Sequence, residues 1–153
     1  ADVSSQTVPS GIIGQAEGSM FVEIDFDNNS NDFVNIFLWN GTTSNRVFIS
    51  RRGDSKYPQF QMSKTGETTR DITGSTVLNV GVHKMLVTYS SAKLAGYVDG
   101  VKIGEVTSGS FLYSGELSQI LLTTSNLSVR IIKELKFYDR ALTDQESINL
   151  TTI

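Results

Sequence analysis

The fold is decided by residues 81–106, which read GVHKMLVTYSSAKLAGYVDGVKIGEV. Two apolar runs, 81–89 and 94–98, flank a short polar turn, and a third run, 101–106, follows the pair Asp99-Gly100. An Asp-Gly pair between apolar runs is a strong β-hairpin signal, because both residues tolerate the positive φ angles of a type I′ turn. This segment therefore predicts three consecutive antiparallel strands.

Short apolar runs alternate with turn residues along the rest of the chain, at the spacing typical of antiparallel all-β domains. They predict strands near 19–26, 33–40, 46–51, 57–62, 117–122 and 129–138, with a weaker one near 68–73. The apolar face of the first strand is predicted to comprise Met20, Val22, Ile24 and Phe26. That of the last strand is predicted to comprise Val129, Ile131, Leu135 and Phe137, interrupted by Lys133.

One short helix is predicted at the C-terminus. Thr143 followed by Glu146 forms a capping box, and Leu142, Ile148 and Leu150 supply apolar surface. Strands with one buried face belong to a two-sheet sandwich. The predicted fold is therefore an all-β, two-sheet antiparallel β-sandwich with one short C-terminal helix over residues 11–153, preceded by a linker or N-terminal arm over residues 1–10.

The composition excludes several classes of function. The 153 residues include 13 Lys and Arg against 16 Asp and Glu, a net charge of −3, which argues against an electrostatically driven nucleic-acid partner. No run approaches the roughly 18 apolar residues of a membrane span, so no membrane partner is expected. The chain has no cysteine and one histidine, so thiol catalysis, disulfides and cysteine-rich zinc sites are excluded.

Two segments resemble a known family. GVHKMLVTY (81–89) with GYVDG (96–100), and IKELKFYDRALTDQE (132–146), resemble the laminin-G and concanavalin A-like jelly roll. A departure is His83, which follows Val82 where that family usually has Trp. EGSMFVE (17–23) and NGTTSNR (40–46) are similar to jelly-roll domains of bacteriophage tail fibres and receptor-binding proteins. The resemblance implies a concanavalin A-like sandwich over about residues 18–150.

The string Glu23-Ile24-Asp25-Phe26-Asp27 raises the possibility of hydrolysis. Retaining β-glucanases of the same fold carry a Glu-Ile-Asp-x-Glu strand, whose two Glu residues are nucleophile and acid/base. Alternate residues of a strand share a face, but the last position here is the shorter Asp27, which would lie too far back. An ordinary solvent-facing strand edge is the favoured interpretation, and the chain is predicted not to be an enzyme.

Trp39 and Asn40 are candidate carbohydrate-binding residues, because an aromatic ring stacks on a sugar face and an amide bonds its hydroxyls. The alternation of 33–40 places Val34, Ile36 and Leu38 on the core face and Phe33, Phe37 and Trp39 opposite. Packing of this second apolar face under a loop, on the other sheet or on a partner subunit is the favoured alternative.

Arg51-Arg52-Gly53-Asp54, followed by Tyr57, is a second candidate ligand site. Two guanidinium groups could bind the carboxylates or sulfates of an acidic glycan, and the Arg-Gly-Asp tripeptide also permits an integrin-type interpretation. A solvated turn whose charges neutralise each other is favoured.

A possible calcium site lies among oxygen-bearing side chains of the first loop. Calcium takes six to eight oxygens, and the residues nominated as ligands are Asp25, Asp27, Asn29 and Asp32, with Asn28 and Asn31 nearby. Such residues are also the usual composition of β-turns.

Two further features are assigned structural or context-dependent roles. His83 is expected to be a structural histidine, on one strand face with Met85, Val87 and Tyr89. Glycosylation sequons begin at Asn28, Asn40, Asn126 and Asn149 and would carry glycan only in a secreted eukaryotic protein.

The function expected from these features is a non-catalytic recognition module that binds cell-surface polysaccharide or glycan. Its expected context is a phage tail fibre or another virion surface protein, extracellular or on the virion, with a homotrimer formed through the parent fibre. The alternatives are a structural or assembly domain without a glycan ligand, a small glycoside hydrolase that uses Glu23, and a host adhesion protein.

Overall fold

The computed structural model describes residues 3–9, 11–26, 33–124 and 130–153, although the side chains of 3, 4, 124, 130 and 131 are not described. Within these residues the chain forms two antiparallel sheets and one helix. The strands are β1 (Val3–Thr7), β2 (Glu17–Phe26), β3 (Val34–Trp39), β4 (Arg46–Arg51), β5 (Pro58–Ser63), β6 (Arg70–Thr73), β7 (Gly81–Ser90), β8 (Leu94–Val98), β9 (Val101–Val106), β10 (Gln119–Thr124) and β11 (Arg130–Tyr138), followed by helix α1 (Asp144–Thr151).

The strands form a six-stranded sheet, in the order β1-β10-β3-β4-β5-β6, and a five-stranded sheet, in the order β11-β2-β7-β8-β9. The core lies between the two sheets and is built from the alternate residues of each strand. Met20 and Val22 of β2 and Val47 of β4 are fully buried there. The predicted two-sheet antiparallel sandwich with a short terminal helix is confirmed.

The predicted hairpin at Asp99-Gly100 is also confirmed. Asp99 has φ 48° and Gly100 has φ 78°, which are the two positive angles of a type I′ turn. The Asp99 carboxylate accepts a hydrogen bond from the Lys84 backbone N–H at 2.9 Å, so the turn is fastened to the neighbouring strand β7.

Helix α1 begins with the predicted capping box. The Thr143 hydroxyl oxygen accepts from the Glu146 backbone N–H, and the Glu146 carboxylate accepts from the Thr143 backbone N–H. Leu142 is buried against Phe21 of the five-stranded sheet, and a second small apolar cluster forms there. The helix therefore covers one end of the outer face of that sheet.

Strand β11 differs from its predicted alternation. The pairing with β2 shifts between Ile132 and Glu134, so that a β-bulge lies at Lys133. Ile132 and Leu135 both pack against the core, and Lys133 instead forms an ion pair with Asp25 at 3.3 Å. The predicted face containing Lys133 was wrong because a strict period of two would have buried an ammonium group, which the extra residue of the bulge avoids. Val129 lies outside the described residues.

Strand β1 was not predicted from the sequence. It lies in the segment 1–10 that was expected to be a linker or arm, and it pairs with β10 from Val3↔Thr123 to Thr7↔Gln119. Four of its five residues are polar, so apolar alternation gives no signal for it. No helix in the described part of the chain is long and apolar enough to cross a bilayer.

Candidate functional site

The outer face of the six-stranded sheet carries a cluster that we call the aromatic face: Phe37, Trp39, Arg46, Phe48 and Gln61. Strand register places these side chains together, because Phe37 pairs with Phe48 and Trp39 with Arg46, while Phe48 pairs with Gln61 on the next strand. The ring centroids of Phe37 and Trp39 are 6.3 Å apart, and those of Phe37 and Phe48 are 5.3 Å apart. Three aromatic rings therefore lie side by side on the outer side of this sheet; Phe37 and Trp39 are partly exposed, and Phe48 is 5% exposed.

Arg46 is the cation of the aromatic face. Its guanidinium carbon lies 5.0 Å from the Phe48 ring centroid and 5.5 Å from that of Phe37. Its Nε and Nη2 groups donate to the Gln61 side-chain oxygen at 3.2 and 2.8 Å. Burial lowers the pKa of Arg46 from its ordinary value, but an arginine remains charged at neutral pH.

Amide side chains extend the surface toward the edge strand. The Gln59 and Gln61 amide nitrogens both donate to one Asp71 carboxylate oxygen, at 2.7 and 3.2 Å. Because Gln61 accepts from Arg46 and donates to Asp71, its orientation is fixed from both ends. The result is an ordered row of polar groups beside the aromatic rings.

A polar pocket of about 430 Å³ opens at the Arg46 end of this face. Hydroxyl, amide and cationic groups dominate its lining, which includes Thr43, Ser44, Arg46, Gln61, Lys64 and Thr69. Lys64 is already paired with Glu116 at 3.1 Å. A pocket with several hydroxyl and amide groups beside aromatic rings suits a ligand that is itself rich in hydroxyls.

Trp39 and Asn40, which were predicted as ligand-binding residues, lie at this end of the sheet. Trp39 belongs to the aromatic face, and its indole N–H is buried with no acceptor among the described residues. The Asn40 side-chain oxygen accepts from the Thr42 backbone N–H at 3.0 Å and from its hydroxyl at 2.7 Å. Asn40 therefore shapes the turn after β3.

The other predicted ligand-binding residues, Arg52, Asp54 and Tyr57, lie at the opposite end of β4. Arg46, the cross-strand partner of Trp39, is six residues from Arg52, roughly 20 Å along a strand. The structure does not bring the two groups of candidates into one site.

The structure corrects the prediction that Arg51 is a surface ligand-binding residue. Val47, Ile49 and Arg51 share the core face of β4, and Arg51 is 1% exposed. Its Nε group donates to the Leu78 carbonyl at 3.1 Å, and its guanidinium lies 4.9 Å from the centroid of the Phe26 ring. The predicted pair of surface guanidinium groups is wrong for Arg51, because strand alternation turns it away from its neighbour Arg52.

Arg52 and Asp54 bind each other. The Arg52 Nε and Nη2 groups donate to the two Asp54 carboxylate oxygens at 3.1 and 2.9 Å. The hydrogen bonds from Arg52 hold the pKa of Asp54 well below its usual range. Tyr57 closes the same turn through its carbonyl, which accepts from the Arg52 backbone N–H at 2.9 Å. This geometry matches the interpretation of a turn whose charges neutralise each other.

The calcium prediction is only partly within the described chain. Asp27, Asn29 and Asp32, with Asn28 and Asn31, lie outside the described residues, and Asp25 pairs with Lys133. In the part of the chain that is described, no three His, Asp or Glu residues cluster in a way that could hold a metal. The calcium site stays a prediction.

Glu23 lies on the outer face of the five-stranded sheet, between Glu134 and Lys84 in the strand register. Two nearby carboxylates already have lysine partners, since Asp25 pairs with Lys133 at 3.3 Å and Glu134 with Lys136 at 2.7 Å. Retaining hydrolysis needs a second carboxyl group close to the nucleophile to act as the acid, and both of these neighbouring carboxylates are bound by lysine. This arrangement gives Glu23 no described acid partner.

His83 has the predicted structural role. Its Nδ1 lies 2.7 Å from an Asp99 carboxylate oxygen and its Nε2 lies 3.1 Å from the Asn79 carbonyl. Both partners are acceptors, so a doubly protonated ring satisfies both contacts. The hydrogen bond to Asp99 raises the pKa of His83 above its ordinary value.

Sequence reasoning did not single out Arg46, Phe48 or Gln61 as site residues. The signal was present in the alternation of β4, where Arg46 and Phe48 are two residues apart and therefore face the same side as Trp39 and Phe37. The register between strands, which joins Gln61 to the others, could not be read from one strand alone.

The two-sheet sandwich has the architecture of a concanavalin A-like domain. Residues 4–146 match the family described as the concanavalin A-like lectin/glucanases superfamily, and the chain belongs to that family. No curated protein matches the chain in sequence.

Similar solved structures include the CBM40 domain of the Ruminococcus gnavus IT-sialidase bound to α2,3 sialyllactose. That match has 14% identity and a TM-score of 0.69, and it covers 92% of this chain and 84% of the other. The binding domain of botulinum neurotoxin DC in complex with SialylT has 12% identity and a TM-score of 0.67, with 89% of this chain and 35% of that one covered. A tetrameric galectin from the sponge Cinachyrella sp. has 12% identity and a TM-score of 0.57, with coverages of 90% and 99%. At these identities the likeness shows the fold alone.

Proposed function

We propose that this domain is a non-catalytic glycan-binding module and that the aromatic face and its polar pocket hold the sugar. The observation that carries the proposal is the placement of two partly exposed aromatic rings, Phe37 and Trp39, beside a fixed arginine and a row of amides on one outward sheet surface. These two rings offer flat apolar surface for the C–H face of a pyranose. The amides and hydroxyls beside them offer the hydrogen bonds that its hydroxyl groups require.

The site is preorganised, which favours binding. Gln61 is held by Arg46 on one side and Asp71 on the other, and the Phe37 ring is held between Trp39 and Phe48. Side chains that are already ordered lose little conformational entropy when a ligand arrives. The surface is small, so we expect weak affinity for each site.

The similar structures support this assignment. One is a complex with α2,3 sialyllactose, one is a complex with SialylT, and the third is a galectin. Their shared architecture is compatible with a glycan ligand on a sheet face.

The test is a glycan array probed with the wild-type domain, with and without a calcium chelator. The variant Trp39→Ala removes one ring of the aromatic face, and Val101→Ala is the matched control, because Val101 is an exposed apolar residue of the other sheet. We expect wild type and Val101→Ala to bind the same glycans and Trp39→Ala to lose at least ten-fold in affinity. If the wild-type domain binds no glycan, the proposal is wrong. Loss of binding on chelation alone would support the calcium prediction.

A structural or assembly role is the second candidate, and one observation favours it. Phe33 is 42% exposed and precedes β3, the strand that carries Phe37 and Trp39. An apolar surface of this kind also suits a protein contact. This role would be favoured by two results together. The domain would bind no glycan, and it would self-associate in a way that Phe33→Ser and Trp39→Ala abolish.

We further propose that the domain acts outside the cell or on a virion surface, as part of a trimeric phage tail fibre. The support is the similarity of residues 17–23 and 40–46 to tail-fibre jelly rolls. Several weak sites on one trimer would raise the overall avidity by a high effective concentration. Light scattering of the full parent protein should give the mass of a trimer, and a strict monomer would refute this setting.

A further inference from the structure

Arg46 keeps an unused hydrogen-bonding edge. An arginine has five N–H groups, and here Nε and Nη2 place one N–H each on the Gln61 side-chain oxygen. The end of the guanidinium, formed by Nη1 and the second N–H of Nη2, has no protein acceptor within residues 3–9, 11–26, 33–124 and 130–153. This end is a two-pronged donor, and Arg46 lines the polar pocket.

Arg46 has no carboxylate partner in the described part of the chain, whereas several other cations near the surface do. Arg52, Lys64, Lys102 and Arg140 each form an ion pair with a carboxylate, at distances between 2.6 and 3.1 Å. Removing a cation from water without an anion is unfavourable. The neighbouring rings of Phe37 and Phe48 offset part of that cost.

A comparison with Arg70 shows what a purely structural arginine looks like in this protein. Arg70 is 1% exposed, and its donors reach the carbonyls of Ser90, Ser91, Ser108 and Gly109. Arg46, by contrast, is half-buried, with one edge fixed by Gln61, and it lines the polar pocket. Its position resembles that of a recognition group whose partner is not part of the chain.

We propose that Arg46 binds the carboxylate of an acidic sugar, so that the module selects carboxylated glycans over their neutral counterparts. This inference rests on the proposed function of the aromatic face and adds the charge of its ligand. A planar carboxylate accepts two parallel N–H bonds from the end of a guanidinium. The hydroxyl and amide groups of Thr43, Ser44 and Thr69 and of Gln61 line the space where the rest of the sugar ring would lie.

The direct test compares pairs of glycans that differ in the carboxylate. Suitable pairs are 3′-sialyllactose with lactose, and an oligogalacturonate with its methyl ester. The fluorescence of Trp39, the only tryptophan and the cross-strand neighbour of Arg46, reports binding next to the site, and calorimetry confirms the affinity. Hydrogen bonds to charged groups correspond to roughly 10- to 100-fold in affinity, and we expect the acidic member of a pair to bind more tightly by that factor.

Variants assign the effect to Arg46. Arg46→Gln should reduce binding of the acidic glycan to the level of the neutral one, and Arg46→Lys should restore only part of the preference, because an ammonium lacks the planar fork. Arg52→Gln is the matched control: it removes a surface arginine whose partner is Asp54 and should leave the preference unchanged. Circular dichroism and thermal melting establish that each variant is folded.

The outcomes separate this inference from the proposed function. If wild type binds both members of each pair equally, the proposed selection for charge is wrong and the proposed glycan-binding function stands. If wild type binds neither member of any pair and no glycan on the array, both the charge selection and the glycan-binding function are refuted. A preference that persists in folded Arg46→Gln refutes the role of Arg46. A sulfated dextran that binds more tightly than every carboxylated glycan refutes the carboxylate assignment. Should Arg46→Gln fail to fold, the acid and methyl-ester pair on wild type still decides the charge selection.

Discussion

The buried Arg70 should be one of the most stabilising polar side chains of this sandwich, and Arg70→Met tests it. The side chain is 1% exposed, and its guanidinium lies 5.1 Å from the centroid of the Phe111 ring. It donates to the carbonyls of Ser90 and Ser91 in the turn between β7 and β8, and to those of Ser108 and Gly109 after β9. One side chain thus fastens two connections to the edge strand β6.

The expected loss follows from these contacts. Each hydrogen bond from a charged donor contributes about 1.5–3 kcal/mol net, and the contributions of groups that act together are not additive. The four carbonyls lie in or next to turns, where water can replace some of the hydrogen bonds lost with the guanidinium. Methionine also preserves much of the apolar packing of the side chain. We therefore expect Arg70→Met to lower the free energy of unfolding by about 3–5 kcal/mol, as removal of one partner from a buried charged network does.

Urea denaturation followed by circular dichroism and Trp39 fluorescence measures this change. Arg70→Lys, which keeps the charge but has three donors and no planar fork, should fall between wild type and Arg70→Met. The exposed Arg52→Gln should change stability by less than about 1 kcal/mol. A loss below about 1 kcal/mol for Arg70→Met, with an unchanged dependence on urea, would refute the fastening role.

Three further changes test other parts of the fold. The hydrogen bond to Asp99 raises the pKa of His83, so the ion pair contributes full stability below the unfolded pKa of about 6.5 and loses it as the pH rises through the higher folded value. His83→Gln should therefore flatten the decline in stability above about pH 6.5 in urea titrations. Hydrogen bonds from Lys102 and Tyr97 lower the pKa of Asp144 to about 2, so the carboxylate's contribution to the free energy of unfolding is present above about pH 4 and lost as the pH falls toward 2. Asp144→Asn should reduce this acid-induced loss of stability, and a pH profile of stability identical to that of wild type would contradict the prediction. A Cβ at Gly96 would lie 2.2 Å from the Phe60 ring; Gly96→Ala should cost about 1–3 kcal/mol by overpacking, and a melting temperature equal to that of wild type would show that the sheets can separate there.

Much of the fold follows from local patterns. The hairpin at Asp99-Gly100 and the capping box at Thr143 each depend on residues that are close in sequence, and both are found where they were predicted. The strands β2 to β10 also lie within one or two residues of their predicted bounds. The bulge at Lys133 could not be predicted, because its cause is the pairing of β11 with β2 and the presence of Asp25 on the neighbouring strand.

The candidate site was harder to predict than the fold. The sequence grouped Arg51 with Arg52 because they are adjacent, but adjacent residues of a strand face opposite sides, and Arg51 lies in the core. Arg46 and Gln61 are 15 residues apart and meet only through the register of β4 with β5. A site assembled across strands depends on pairings that a single sequence leaves open.

In β3, β4 and β5, successive side chains alternate between the core and the outer face, so neighbouring residues serve different purposes. Leu38, Val47 and Met62 face inward and are almost fully buried, while their neighbours Trp39, Arg46 and Gln61 face outward. Mutational libraries confined to the outward set can therefore explore new ligands with limited damage to the core, whereas inward substitutions alter the core packing directly. In this sheet, recognition and stability can be altered separately.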